Sequence, residues 1–313
     1  MSFHNLQAVL IFLGGILLST PGNGYKTEGY RCLIRYEDGF IVAGSGGQID
    51  WISASGKKTK SEKFPGENFN CLLEYNQIIV AAGEKGSILM SSNKGIFRKV
   101  ESGTVSNINS LTVFNGIIIA GADKGEIIRG DESGSFKKYP LDLKGNIVSV
   151  AARTSDCYGV TNEGEIIHST DGIKWDIIDF NKFYSGYYRP CYFTNVLVTD
   201  NRIAVAGIHD DGSPVLVFSS QGSVWTERPL NYTDDQGMAG YLADTPNDIF
   251  YDDLGDQFFL ACSRGRLMKL PSCSQCNKLA VISGEDLEGI SKVENNLMIV
   301  GGNYLIKAVS LKW

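Results

Sequence analysis

The sequence predicts an all-β fold, a seven-bladed β-propeller of four-stranded antiparallel blades, from three observations. Glycines recur at intervals of 39 residues, at Gly47, Gly86, Gly125 and Gly164. Each follows a continuous apolar run, such as FIVAG at 40–44, which is typical of strands buried on both faces. A second apolar run follows each glycine, such as EIIRGD at 126–131. The repeat length matches a blade of four short strands.

The same pattern continues through the second half of the chain, with equivalent positions at Gly212, Gly265 and Asn303. The blade count is therefore seven. Packing the blades around an axis covers both faces of each sheet and protects the strand edges, which favours a closed ring. The last repeat ends at Trp313 after three strands, so the sequence predicts that Tyr25–Glu28 supplies the fourth strand.

Composition indicates one globular domain, residues 25–313, since 43% of the 313 residues are apolar and 20% are charged. The net charge of −6 argues against a nucleic-acid partner. Residues 8–18 form an apolar run of 11 residues, followed by small and turn-forming residues. This pattern predicts a signal peptide over residues 1–24, too short to cross a membrane, and a secreted or periplasmic protein without an integral membrane span.

One turn carries a family resemblance. Residues 169–175, STDGIKW, resemble the Asp-box turn of BNR-repeat propellers, a family that includes sialidases and photosystem II assembly factors, although the match is one residue shorter than S-x-D-x-G-x-x-W. A weaker echo, SSQGSVW, lies at 219–225. The resemblance implies a propeller fold and a structural role for the turn, away from the ligand face. The residues to which it assigns that role are Ser169, Asp171, Gly172 and Trp175.

The regular spacing breaks around the fifth blade. The interval is 48 residues from Gly164 to Gly212 and 53 residues from Gly212 to Gly265. The extra residues fall in 180–192, 208–211 and 230–248. Strand direction predicts that all three segments open on one face near the central channel, where propellers usually bind partners.

These segments combine tyrosines with charged side chains, which are favoured at interfaces and, for the tyrosines, in sugar stacking. The candidate binding residues are Tyr184, Tyr187, Tyr188, Arg189, His209, Asp210, Asp211, Asp234, Asp235 and Tyr241. In the competing interpretation, the tyrosines only pack the long loop against the rim of the propeller. We expect no metal site, because consecutive residues such as His209-Asp210-Asp211 rarely converge on one ion.

The sequence leaves the activity open. The arginine motif that opens sialidase-like domains is missing, and the acidic residues are too many for a catalytic pair to be chosen. The preferred hypothesis is an exported, monomeric, non-enzymatic scaffold without a cofactor that recognises a protein or glycan partner around blade five. The alternatives are a carbohydrate-active enzyme resembling glycoside hydrolases, which would use acidic residues of the same loops, and, by analogy of fold, an assembly factor. Cys273 and Cys276 predict a disulfide across a hairpin, since a zinc site would need two further ligands.

Overall fold

A computed structural model describes residues 28–91, 96–184, 189–234, 236–271 and 277–311. The proposed signal peptide lies outside these ranges, and so do five of the residues singled out above. These are Tyr187, Tyr188, Asp235, Cys273 and Cys276. What the sequence predicts for them stays a prediction.

Nearly all regular structure is β-strand. The first three blades contain β1 (Tyr30–Tyr36), β2 (Gly39–Gly44), β3 (Gln48–Ser53), β4 (Lys58–Lys63), β5 (Phe69–Tyr75), β6 (Ile78–Gly83), β7 (Ile88–Ser91), β8 (Phe97–Val100), β9 (Ile108–Phe114), β10 (Ile117–Ala122), β11 (Glu126–Gly130) and β12 (Phe136–Pro140). Blades four and five contain β13 (Ile147–Ala152), β14 (Cys157–Thr161), β15 (Glu165–Ser169), β16 (Asp176–Asp179), β17 (Cys191–Val198), β18 (Ile203–His209), β19 (Pro214–Ser219) and β20 (Thr226–Glu227). The remainder are β21 (Asn231–Thr233), β22 (Ala239–Tyr241), β23 (Pro246–Asp252), β24 (Gln257–Cys262), β25 (Arg266–Pro271), β26 (Lys278–Val281), β27 (Leu287–Val293), β28 (Asn296–Gly301) and β29 (Leu305–Ser310). The described residues contain one α-helix, α1 (Phe180–Phe183), and four short 3-10 turns, Ser45–Gly47, Glu84–Gly86, Asp123–Gly125 and Ser263–Gly265.

The chain is a seven-bladed β-propeller, which confirms the predicted fold. Blades one to five are four-stranded antiparallel meanders in sequence order. In blade six the hairpin β21–β22 extends the sheet to six strands, and the described residues of blade seven form the three strands β27, β28 and β29. Strand β1 packs against β27, so the first and last blades meet and the ring is closed.

The core consists of wedges between the blades. The described residues form seven clusters of buried apolar side chains, one at each junction between neighbouring blades. At the closing junction, Val42 of blade one and Val300 of blade seven share one cluster. The continuous apolar second strands supply these wedges because a blade is covered on both faces.

Side chains at the start of the innermost strands link neighbouring blades around the central channel. Each innermost strand has a β-bulge near its start. The bulged Asn70 donates to the carbonyl oxygen of Ile108 in the next blade at 3.0 Å, and Asn247 donates to that of Leu287 at 2.9 Å. These bonds fix the angle between neighbouring blades, since a bulge aims its side chain out of the ladder.

The recurring glycines lie in the turn between the second and third strands of a blade, where φ is positive. At Gly265, with φ at 72°, an added Cβ would lie 1.9 Å from the carbonyl oxygen of Ser283. At Gly47 the corresponding distance to the carbonyl oxygen of Phe64 is 1.8 Å. At these positions the glycine is therefore required by a tight contact between the turn and the connection to the next blade behind it, whereas at Gly212, in blade five, only the positive φ favours glycine.

We expect Gly265→Ala to lower the free energy of unfolding by about 3 kcal/mol, because a left-handed backbone and a backbone clash act together. Gly212→Ala is the matched control. Its φ is 80°, but no described atom lies within 4 Å of the added Cβ, so the expected loss is about 1 kcal/mol. Urea denaturation of both variants measures the difference, and equal losses would contradict the assigned contact.

Asp248, on the innermost strand of blade six, joins three blades. Its carboxylate accepts hydrogen bonds from the backbone N–H of Ile290 at 2.9 Å and of Ile249 at 2.9 Å, and from the side-chain amide of Asn195 at 3.1 Å. Burial raises the pKa of Asp248 to about 7, and these donors offset only part of that effect.

The raised pKa of Asp248 predicts that the free energy of unfolding decreases as the pH rises. The folded protein binds the Asp248 proton more tightly than the unfolded chain does. The contribution of this proton to the free energy of unfolding is therefore complete below about pH 4 and is lost as the pH rises through about 7. At about 1.4 kcal/mol per pKa unit, we expect a decrease of about 2–4 kcal/mol between pH 5 and 8. Urea denaturation at a series of pH values measures it. The decrease should be absent in Asp248→Asn, and the same slope in both proteins would refute the assignment.

The described start of the chain lies beside blade seven. The backbone N–H of Asn303 donates to the carbonyl oxygen of Glu28 at 2.6 Å, and Gly29 forms a β-bridge with Gly302. Glu28 thus contacts the turn between β28 and β29. Residues 25–27, which the sequence assigns to the fourth strand together with Glu28, lie outside the described ranges.

Candidate functional site

The predicted candidates Arg189, Asp210 and Asp211 lie on the connection face, which carries the blade-to-blade connections and the turns between second and third strands. Arg189 forms an ion pair with Asp211 and donates to the Ser213 hydroxyl at 2.9 Å. Hydrogen bonds from the hydroxyl and the backbone N–H of Ser213, with the Arg189 guanidinium, lower the pKa of Asp211 to about 2. Asp210 is exposed. The pair links the turn to the connection that precedes β17.

His209 is buried rather than presented to solvent. Its Nδ1 lies 3.6 Å from the Cys191 thiol, and its Nε2 lies 3.8 Å from Glu227 Oε1. A thiol, an imidazole and a carboxylate in this order have the composition of a catalytic triad. However, burial raises the pKa of Cys191 to about 12, so the thiolate that a nucleophile requires is scarce at neutral pH. The arrangement packs the start of blade five.

Asp234 and Tyr241 belong to the hairpin β21–β22. Asp234 Oδ1 accepts from the backbone N–H of Gln236 at 2.9 Å and of Met238 at 2.8 Å, which closes the turn, and Tyr241 is exposed on β22. The predicted position of this segment near the channel is wrong. Strand β21 pairs with β26, so the hairpin lies at the outer edge of blade six, on the side away from the axis.

Tyr184 lies between blades four and five. Asp179 caps α1 by accepting from the backbone N–H of Lys182 at 3.0 Å. The ring of Phe180, in the same helix, is fully buried and packs edge-on against Trp225 with 6.2 Å between centroids. The Tyr184 hydroxyl donates to the carbonyl oxygen of Ser223 at 3.1 Å. This predicted residue therefore faces the side of the propeller, not the channel.

Blades four and five enclose a groove of about 780 Å³, which we name the interblade groove. Strands β14, β15 and β16 of blade four form one wall. Residues 221–223 and Trp225 of blade five form the opposite wall, and Lys182, Phe183 and Tyr184 close one end. Strand β20 has only two residues, so the outer part of blade five leaves this space uncovered.

A row of aromatic and polar side chains crosses the blade-four wall. Tyr158, His168 and Asp176 are direct cross-strand partners on β14, β15 and β16. The Tyr158 and His168 rings stack at 4.6 Å, and His168 Nε2 lies 3.6 Å from Asp156 Oδ2. Burial alone would raise the pKa of Asp156, but the Arg153 guanidinium, at 2.5 and 3.0 Å, holds it below its ordinary value. The row thus combines flat apolar surface with fixed polar groups.

Large apolar side chains are exposed around this groove. Phe183 is 73% exposed at its end, and Ile177 is 41% exposed on β16. Both residues line the groove. Exposed apolar side chains that border one concave space mark an interaction surface more strongly than scattered ones do.

The turns that resemble Asp-boxes stabilise the blades. The Ser169 hydroxyl accepts from the backbone N–H of Gly172 at 2.8 Å, and Asp171 Oδ1 accepts from those of Ile173 and Lys174 at 2.7 and 2.8 Å. Trp175 packs beside the cluster between blades three and four. In the equivalent turn of blade five, the Ser219 hydroxyl accepts from the N–H of Gly222 at 2.8 Å. That turn forms a wall of the interblade groove, so the same turn geometry serves two purposes.

Sequence reasoning identified Tyr184 but missed most of the groove. Two signals were present in the chain. Phe183 lies in the insertion that precedes blade five, and β16 reads Asp-Ile-Ile-Asp where the outer strands of the first three blades carry lysine or arginine.

Two kinds of feature are absent from the described part of the chain. No group of three or more His, Cys, Asp or Glu side chains there is placed to bind a metal ion. No helix in those ranges combines the length and apolar character needed to cross a membrane.

A scan against protein-family models found no match, and neither did a search of curated proteins. Similar solved structures include YCF48 bound to D1 peptide, 13% identical with a TM-score of 0.68, covering 91% of this chain and 93% of that one. The WD40 β-propeller domain of Doa1 is 11% identical with a TM-score of 0.68 over 92% and 94% of the chains. The computationally designed Ika8 protein is 11% identical with a TM-score of 0.64 over 91% and 96%. At these identities the likeness shows the propeller fold alone, and membership of the BNR family stays a prediction.

Proposed function

We propose that this protein is a non-enzymatic scaffold that recognises a protein partner through the interblade groove. The observation that carries the proposal is the groove itself, a concave space of about 780 Å³ lined by the exposed side chain of Phe183. We include in the proposal that the protein is exported, on the basis of the apolar run at residues 8–18.

The groove has the composition of an interface. Aromatic side chains supply large contact area with few rotamers to immobilise, and a few such anchors carry most of the energy of a typical interface. Its walls belong to packed blades, so little ordering would be required on binding. Among similar folds, the YCF48 structure contains a bound peptide, which agrees with a protein ligand for a propeller of this kind.

Affinity capture with a groove variant and a matched surface variant tests the proposal. Phe183→Ser removes an exposed aromatic side chain, so the fold should be unaffected. Leu254→Ser removes another exposed apolar side chain, 88% exposed, from a turn of blade six. We expect a partner whose affinity falls about 30-fold with Phe183→Ser, as for loss of an aromatic anchor worth about 2 kcal/mol, and is unchanged with Leu254→Ser. Equal affinity for both variants would refute a role for the groove.

A further inference from the structure

We infer that the ligand of the interblade groove is an extended protein segment that adds to the free edge of β16 as a fifth strand of blade four, with a basic side chain opposite Asp176. This inference rests on the proposed function and deepens it. Three observations support it: the position of β16 at the edge of its sheet, the residues of the other outer strands, and the charges along the free edge of β16.

Strand β16 lies at the edge of its sheet, and all four of its residues line the groove. The backbone N–H of Phe180 donates to the carbonyl oxygen of Gly164, so these two residues form a hydrogen-bonded pair of the β15–β16 ladder. The pair Ile178 and Ile166 lies two residues further along the same ladder. Hydrogen-bonded pairs alternate along an antiparallel ladder. The backbone groups of Ile177 and Asp179 therefore point away from β15, towards the free edge, where an added strand would bond them.

The outer strands of the first three blades are protected against strand addition. Each carries exposed cationic side chains, which natural sheets use to block edge-to-edge pairing. These cations are Lys58, Lys60, Lys63, Arg98, Lys99, Lys137 and Lys138. In blade six the hairpin β21–β22 covers the outer strand β26. Strand β16 has no such protection, since its central residues are Ile177 and Ile178.

Charge selects the partner. Asp176 is exposed, and within the described ranges it takes part in no ion pair. Asp179, at the other end of β16, already pairs with Lys144. A residue directly opposite Asp176 in an added strand would lie about 5 Å from it, a distance at which opposite charges attract and like charges repel. The preferred segment therefore alternates apolar and polar residues and carries one arginine or lysine.

Selection from a phage library of random 12-residue peptides tests the inference, with the full-length protein as bait and the Ile177→Lys variant as competitor. Ile177→Lys gives β16 the protection that the outer strands of blades one to three already have. We expect enriched peptides with alternating β-branched or aromatic residues, one basic residue and no proline. Their affinity should fall at least 10-fold with Ile177→Lys and with Asp176→Lys, and should not change with Val281→Lys, an exposed position on β26.

A second measurement modifies the peptide and uses only the wild-type protein, so it does not depend on whether a variant folds. N-methylation of successive peptide bonds in an enriched peptide should abolish binding at alternate positions only, because every second backbone group of an added strand faces β16. Loss at no position, or at all positions alike, would overturn strand addition, and so would a selection that enriches no peptide.

The outcomes separate the two proposals. Peptides that lose affinity for Phe183→Ser but bind Ile177→Lys normally would overturn strand addition and leave the proposed function standing. Ligands that bind both variants as tightly as the wild type would overturn both.

Discussion

Phe180→Ala is expected to lower the free energy of unfolding by about 3–5 kcal/mol, the usual loss when a buried phenylalanine is truncated. The Phe180 ring is fully buried and contacts the rings of Tyr184, Phe193 and Trp225. It therefore fixes α1 between blades four and five. Urea denaturation at constant pH measures the loss.

The same substitution should disrupt the interblade groove, because Phe180 anchors the helix that carries Phe183 and that Tyr184 caps. Phe180→Leu is the control, since it retains most of the apolar volume and should cost less than half as much stability. A Phe180→Ala protein as stable as the wild type would show that α1 is not held by this contact.

Asp50→Ala should lower the free energy of unfolding by about 3 kcal/mol. Asp50 is fully buried in blade one, where it accepts from the Tyr30 hydroxyl and from Gln48 Nε2 at 2.7 Å, and lies 2.5 Å from Lys58 Nζ. Removing the carboxylate leaves the buried Tyr30 hydroxyl without this acceptor and deletes the ion pair. The variant is compared with the wild type by thermal and urea denaturation.

The pH dependence gives this second prediction an independent check. Although burial alone would raise the pKa of Asp50, hydrogen bonds from Lys58, Ser61, Tyr30 and Gln48 hold it below its ordinary value. Its contribution is thus present above about pH 4 and is lost as the pH falls through the folded pKa. Glu62→Ala, which removes a partly exposed pair with Lys60, should change stability by less than about 0.5 kcal/mol. A loss of similar size in both variants would contradict the importance of burial at Asp50.

The fold could be predicted because its cause repeats along the chain. The contact behind Gly47 and Gly265 recurs in successive blades, so one steric requirement leaves the same residue at regular intervals. The β-bulges at Asn70 and Asn247 recur as well, but their residue type varies between blades, with Arg31 and Thr194 at equivalent positions. No residue pattern marks them in a single sequence.

The candidate site was only partly predictable. The insertion before blade five could be recognised from the extra length. The side of the propeller on which it lies depends on Phe180, which packs in the junction between blades four and five and places Tyr184 at the side of the propeller. The hairpin β21–β22 lies away from the channel because β21 pairs with β26, which is distant in the sequence. The spacing of the repeats predicts neither the Phe180 contact nor the β21–β26 pairing.

Hydrogen–deuterium exchange of the protein, free and bound to a partner recovered by groove-dependent capture, tests the central claim most directly. The proposal predicts slower exchange in β16, where the amides of Ile177 and Asp179 face the free edge, and in residues 221–223 and Trp225 of the opposite wall. Protection confined to the connection face around Arg189 and Asp211, with β16 unchanged, would contradict it.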